Sequence, residues 1–113
     1  MATLIGLLCL LLPHTALAHA VLVRSTPAAH AAVKPGDLPI TLTYNSRIDA
    51  SRSSLVLVGP DGKRQPLAVE KQAGPNVLST KAAGLKAGSY TVEWQVLSTD
   101  GHITRGTIDF RVE

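Results

Sequence analysis

His19, Asp100 and His102 are the residues whose types and spacing suit metal chemistry. Ala16-Leu17-Ala18 reads as an A-x-A signal-peptidase site, so cleavage after Ala18 makes His19 the first residue of the mature chain. A first-position histidine offers two nitrogens, its free α-amine and its imidazole Nδ1, which together close a chelate ring on a metal. An internal histidine lacks this pairing because its backbone nitrogen is a non-basic amide. The second element is the triplet Asp100-Gly101-His102. In an extended segment residues two apart share a face, so the Asp100 carboxylate and the His102 imidazole are expected to point at one spot. Gly101 between them permits a turn.

Together these groups supply three nitrogens and one oxygen. That set suits a tetragonal site for one copper(II) ion, with nickel(II) as the competitor and zinc, which prefers a tetrahedral set, as a weaker candidate. An α-amine titrates at about 7.7–8.0 and an ordinary histidine at about 6.5, so protons compete with the metal and binding weakens on acidification. Each element has a plainer alternative. His19 can be whatever residue follows the cleavage site. Asp-Gly is a common hairpin turn signal. His30, in an alanine-rich stretch without a partner at ligand spacing, reads as a surface residue.

The elements that must position these residues follow a leader at 1–18. The apolar run Leu4–Leu12, the polar break at His14-Thr15 and the small-residue site read as a signal peptide, too short for a membrane span of roughly 20 residues. It departs from the usual pattern in having no Lys or Arg before the apolar run, which leaves open whether Met1 is the true start. Residues 19–113 then form one domain. The only cysteine, Cys9, lies in the leader, so the mature chain has no disulfide and its core alone must hold the fold. The net charge of +3 is spread over scattered Lys and Arg, and only 4% of residues are aromatic. That is not the clustered basic face with stacking aromatics that nucleic-acid binding needs. No catalytic set is recognisable: Ser98, Asp100 and His102 are too close in sequence for a relay triad, and no Gly-rich phosphate loop appears.

After the leader, apolar residues recur with period two. Ile40, Leu42 and Tyr44 alternate with Thr41, Thr43 and Asn45; Tyr90, Val92, Trp94 and Val96 alternate with polar neighbours; Ile108, Phe110 and Val112 do the same. Such alternation marks strands with one buried face. Pro60-Asp61-Gly62-Lys63 and similar clusters supply turns. Strands are expected near 20–24, 39–45, 53–58, 64–70, 76–81, 89–98 and 103–112, with a short helical turn in Ala28–Val33 between two prolines. About seven short strands in one small domain predict an all-β, immunoglobulin-like β-sandwich, with Trp94 as the largest piece of core.

The chain resembles the CopC family of periplasmic copper-binding, copper-resistance proteins over essentially the whole mature sequence. The resemblance rests on Ala18-His19-Ala20 with Ser25-Thr26-Pro27, on Ile40–Ser46 and Gly59–Lys63, and most specifically on Gly88–His102 followed by Gly106 and Phe110. It implies a Greek-key β-sandwich and a copper(II) site built from His19, Asp100 and His102. It also implies a periplasmic protein that carries or buffers copper rather than acting as an enzyme, with the inner-membrane protein CopD as a partner; a monomer is the expected state. Some members carry a methionine-rich loop for copper(I), an ion that favours soft thioether ligands. Here the only methionine is Met1, which points to a copper(II)-only member. Two rival readings are a metal-free immunoglobulin-like interaction module and a copper oxygenase. The latter needs a second histidine placed for a T-shaped brace and an extended substrate surface, for which this chain has few aromatics.

Overall fold

Alternation of more and less buried side chains marks most of the long strands of the computed structural model, which describes residues 19–113. The leader expected at 1–18, with its cleavage site, lies outside the described residues. Eight strands follow in order: β1 (Leu22–Thr26), β2 (Ala32–Val33), β3 (Gly36–Tyr44), β4 (Ile48–Val58), β5 (Arg64–Leu67), β6 (Val77–Leu85), β7 (Gly88–Ser98) and β8 (Ile103–Val112). They form a three-stranded sheet, β1-β3-β6, and a five-stranded sheet, β2-β8-β7-β4-β5. All pairings are antiparallel except β2 with β8, which is parallel. No helix occurs among the described residues, and the all-β sandwich is as expected.

The inner faces are the apolar sets visible in the sequence. Ile40, Leu42, Tyr44 and Leu78 of the smaller sheet meet Leu55, Leu57, Val92, Trp94, Val96, Ile108 and Phe110 of the larger one, all of them buried. Burying a side chain of this size contributes on the order of 1.5–3 kcal/mol, and with no disulfide to assist, this core is what offsets chain entropy. Trp94 and Tyr44 meet edge to face across the sandwich with ring centroids 5.4 Å apart. Trp94 lies opposite Gly106 in the β7–β8 register, and the indole occupies the space where a side chain at 106 would stand.

The structure corrects the expected elements in two places. The segment Ala28–Val33 forms a single turn, in which the Ala31 amide donates to the Ala28 carbonyl over 3.1 Å, and then becomes the extra strand β2. Pro27 and Pro35 leave too little room for a helix, and the end of β8 offers backbone partners instead: Arg111 donates to the Ala31 carbonyl and Glu113 to the Val33 carbonyl. The other correction concerns boundaries. Strand β4 begins at Ile48, five residues before the expected start at 53, because an irregularity between Asp49 and Ser54 breaks the alternation without ending the pairing. Conversely, β5 stops at Leu67 rather than at 70.

The starts of β1, β4 and β8 and the ends of β3 and β7 gather at one end of the sandwich, which is where the candidate ligands lie. Substituting Gly106→Ala should destabilise the fold by about 1–3 kcal/mol, because the new Cβ would stand 2.3 Å from Trp94 Cζ2. Urea unfolding followed by Trp94 fluorescence measures this, with an unchanged midpoint contradicting the tight packing.

Candidate metal centre

The site is built on the turn joining β7 to β8. The Ser98 amide donates to the His102 carbonyl over 2.8 Å, and the Gly101 amide donates to the Ser98 carbonyl over 2.9 Å. Gly101 has φ of 92°, a region that side-chain-bearing residues rarely adopt, so glycine is the residue this turn requires. The geometry differs from the expected extended triplet. Asp100 and His102 come together because the chain folds back at Gly101, not because an extended strand puts them on one face.

Their contact is direct. Asp100 Oδ2 lies 3.0 Å from His102 Nδ1, while Asp100 Oδ1 accepts the Ser98 hydroxyl and, over 3.2 Å, the His102 backbone amide. These donors, the Ser98 hydroxyl foremost and the His102 side chain next, lower the Asp100 carboxyl from 3.8 to about 2. A proton on Nδ1 completes the contact with Oδ2 and leaves the lone pair of His102 on Nε2. Ser98 itself is buried, although the two side chains it supports are partly exposed. Its role was missed in the sequence. The available signal was a hydroxyl two residues before an aspartate at a turn, an arrangement that favours local side-chain hydrogen bonds.

His19 reaches this turn from the segment that precedes β1. Ala20 is completely buried, and Val21 is clamped by Asn45: the Val21 amide donates to Asn45 Oδ1 over 2.8 Å and the Asn45 amide donates to the Val21 carbonyl over 2.9 Å. Asn45 follows β3, whose last residue is fixed in turn by Asn76, which donates from Nδ2 to the Tyr44 carbonyl. The clamp leaves the exposed His19 imidazole 5.2 Å from that of His102, centroid to centroid, with the rings inclined at 62°. Asn45 is the second positioning residue that sequence reasoning did not single out.

Thus His19 and His102 are brought together, and Asp100 joins them through His102. Among the described residues, no three histidine, cysteine or acidic side chains are grouped closely enough to hold a metal by themselves. The donor chemistry of the pair is nevertheless that of nitrogen ligands, which suit a transition metal. His30 is elsewhere. It has φ of 64°, and its amide donates to the Asp109 carbonyl over 2.6 Å. Asp109 is seven residues along β8 from His102, or roughly 23 Å of extended strand.

Residues 22–113 match the CopC domain, which covers most of the chain, including Asp100 and His102. The chain belongs to the CopC family. This CopC domain is 35% identical over 99 residues to protein YobA of Escherichia coli K12, an alignment covering 85% of this chain and 80% of that protein. It is 30% identical over 103 residues to copper resistance protein C of Pseudomonas syringae pv. tomato, covering 85% and 82%. The crystal structure of CopC from Methylosinus trichosporium OB3b superposes with a TM-score of 0.76 at 32% identity, covering 84% of this chain and 94% of that one. The family ties the domain to copper resistance and to copper as its ligand. The match begins at Leu22, so His19 stands just outside it.

The Asp100 hydrogen bonds have a measurable consequence. A carboxyl lowered in the folded state contributes stability that is present above its ordinary value of 3.8 and is lost as pH falls through about 2. In a carboxyl-carbon NMR titration of the metal-free protein, Asp100 should remain ionised through pH 3.8, and Ser98→Ala should move its midpoint up. An unshifted midpoint in that variant would remove Ser98 as the principal cause.

Proposed function

We propose that this CopC-family protein is a periplasmic copper(II) carrier or buffer that binds one ion through His19, Asp100 and His102 once the leader is removed after Ala18. The observation that carries this reading is the approach to 5.2 Å of two imidazoles from segments far apart in the sequence, with Asp100 on the second. No packing need explains it, because both histidines are exposed. Copper is here the cargo. His19 contributes Nδ1 and its freed α-amine as a chelate, His102 contributes an imidazole nitrogen, and Asp100 contributes a carboxylate oxygen released from its contact with His102.

Three features of the chain fit copper(II). The donors are nitrogen and oxygen, which suit a tetragonal site. Residues 19–113 contain neither methionine nor cysteine, the soft ligands that copper(I) favours. Asp100 is already anionic at every pH where copper would be carried, so it pays no proton cost on binding. Proton competition then falls on the nitrogens. Delivery to or from a membrane protein of the CopD type, by a monomer acting without catalysis, completes the proposal.

The decisive comparison is between the processed protein and one carrying a single extra residue before His19. The extension converts the α-amine to an amide while leaving both imidazoles intact. Copper(II) affinity should fall sharply, and electron paramagnetic resonance should show one coupled nitrogen fewer in the extended form than in the processed form. Equal affinity in both forms would eliminate the chelate.

His102→Ala should weaken copper(II) binding by more than roughly 100-fold, beyond the 10–100-fold range of losses at supporting residues. It should leave the unfolding midpoint close to that of the parent, because the Ser98–His102 and Gly101–Ser98 bonds are made by backbone atoms. Acidification should release copper across the range where imidazole and amine take up protons, well above the pH at which Asp100 is protonated. Release only near pH 2 would assign the pH dependence to Asp100 instead.

A further inference from the structure

The outer edge of β8 is open beside the histidine pair. β2 covers only the far end of β8, pairing Ala32 with Arg111 and Val33 with Val112. The bonds there show which backbone groups face outward. The Asp109 carbonyl accepts from His30, the Arg111 amide donates to Ala31, and the Glu113 amide donates to Val33, so odd-numbered residues face the edge. The even-numbered His102 carbonyl accordingly faces β7, where Ser98 donates to it. By this period of two, the amides and carbonyls of Ile103, Arg105 and Thr107 point away from β7, and among the described residues no backbone group pairs with them.

Such an edge is a template for another strand, and soluble proteins usually blunt it. This one is not blunted by proline, and its first residue is apolar. Ile103, Val21 and Val23 are 55%, 51% and 60% exposed, and they are the large hydrophobics left exposed among the described residues. All three lie within four residues of His19 or directly follow His102. β1, which carries Val23, is likewise an edge strand.

Charge selects the occupant. Arg105 is central to the open stretch and exposed, and its Nε donates to Gln95 Oε1 over 2.7 Å, which leaves its terminal amino groups free to meet a second partner. Arg24 is exposed on β1, an edge strand of the other sheet. A second copy of this chain pairing antiparallel over Ile103–Thr107 would centre on Arg105 and set it against its own counterpart, which is unfavourable. A strand with a carboxylate at that position is matched.

We infer that the open β8 edge, Ile103 to Thr107, is a docking edge that takes an extended acidic segment of a partner protein as an added strand. The added strand continues the line that β2 begins and ends against His102, which brings the partner to the copper ligands. Main-chain hydrogen bonds give such docking its affinity, and the side-chain match at Arg105 gives it selectivity. The transfer role of this edge rests on the copper reading above, but the docking does not require copper.

The test uses the processed protein, isotope-labelled, and a short capped peptide alternating valine with glutamate. Amide chemical shifts should move at Ile103, Arg105 and Thr107, and hydrogen exchange at those amides should slow. Arg105→Glu should weaken the glutamate peptide roughly tenfold and favour a lysine counterpart. Thr107→Pro removes an outward amide that β7 does not use, so it should abolish docking while leaving the circular dichroism spectrum and the copper(II) resonance spectrum unchanged. His102→Ala should still bind the peptide after losing copper, which separates failure of the copper site from failure of the edge. Shifts located on β1 or β5, no response at the three amides, or equal binding of the lysine peptide would overturn the inference.

Discussion

The pairing of β7 with β8 in one continuous register, from Gly88 opposite Val112 to Leu97 opposite Ile103, is the constraint on which the rest of the molecule depends. Because side chains alternate faces, this register decides at once which residues enter the core and which reach solvent. It places Trp94 over Gly106, stacks Tyr90 on Phe110 and buries Val92, Val96 and Ile108. A slip of one residue would turn the whole set outward. The same register sets the length of the turn between the two strands, and that turn carries Asp100 and His102.

The candidate site depends on the core without being part of it. Ser98 is the last residue of β7, buried like the other inward residues of that strand, and its hydroxyl holds the Asp100 carboxylate. Ala20 is likewise buried, and the clamp between Val21 and Asn45 ties the N-terminal arm to the end of β3. Each imidazole is therefore one or two residues from an anchored position. Exposed ligands are held by their neighbours rather than by their own packing, so a ring can stay accessible to a metal and still have a defined place.

Much of this was legible beforehand. Period-two runs such as Ile40–Tyr44 and Tyr90–Val96 report a half-buried sheet directly, because burial selects residue types at every second position. The β2 strand was not legible: two residues carry no periodicity, and their pairing is set by free backbone groups at the end of β8. Nor was the early start of β4, since an irregularity between Asp49 and Ser54 erases the alternation while the pairing continues. At the site, residue types suggested a ligand set, but the reason given for Asp100 meeting His102 was an extended segment, and the chain turns there instead. In the sequence Ser98 stands out only as a rejected nucleophile and Asn45 only as a polar strand residue, because neither residue type announces a positioning role. Their importance comes entirely from what they touch.

The sequence by itself determined the fold class and the chemical identity of the candidate ligands, because burial patterns and donor types are properties of residues taken locally. It also determined the absence of soft sulfur donors from residues 19–113. Only the tertiary structure decided that His19 and His102 approach each other, that Asp100 is held anionic by Ser98 and His102, and that the β8 edge beside them is open among the described residues. Those are distances between segments far apart along the chain, and they arise from sheet register and packing, which no local pattern encodes.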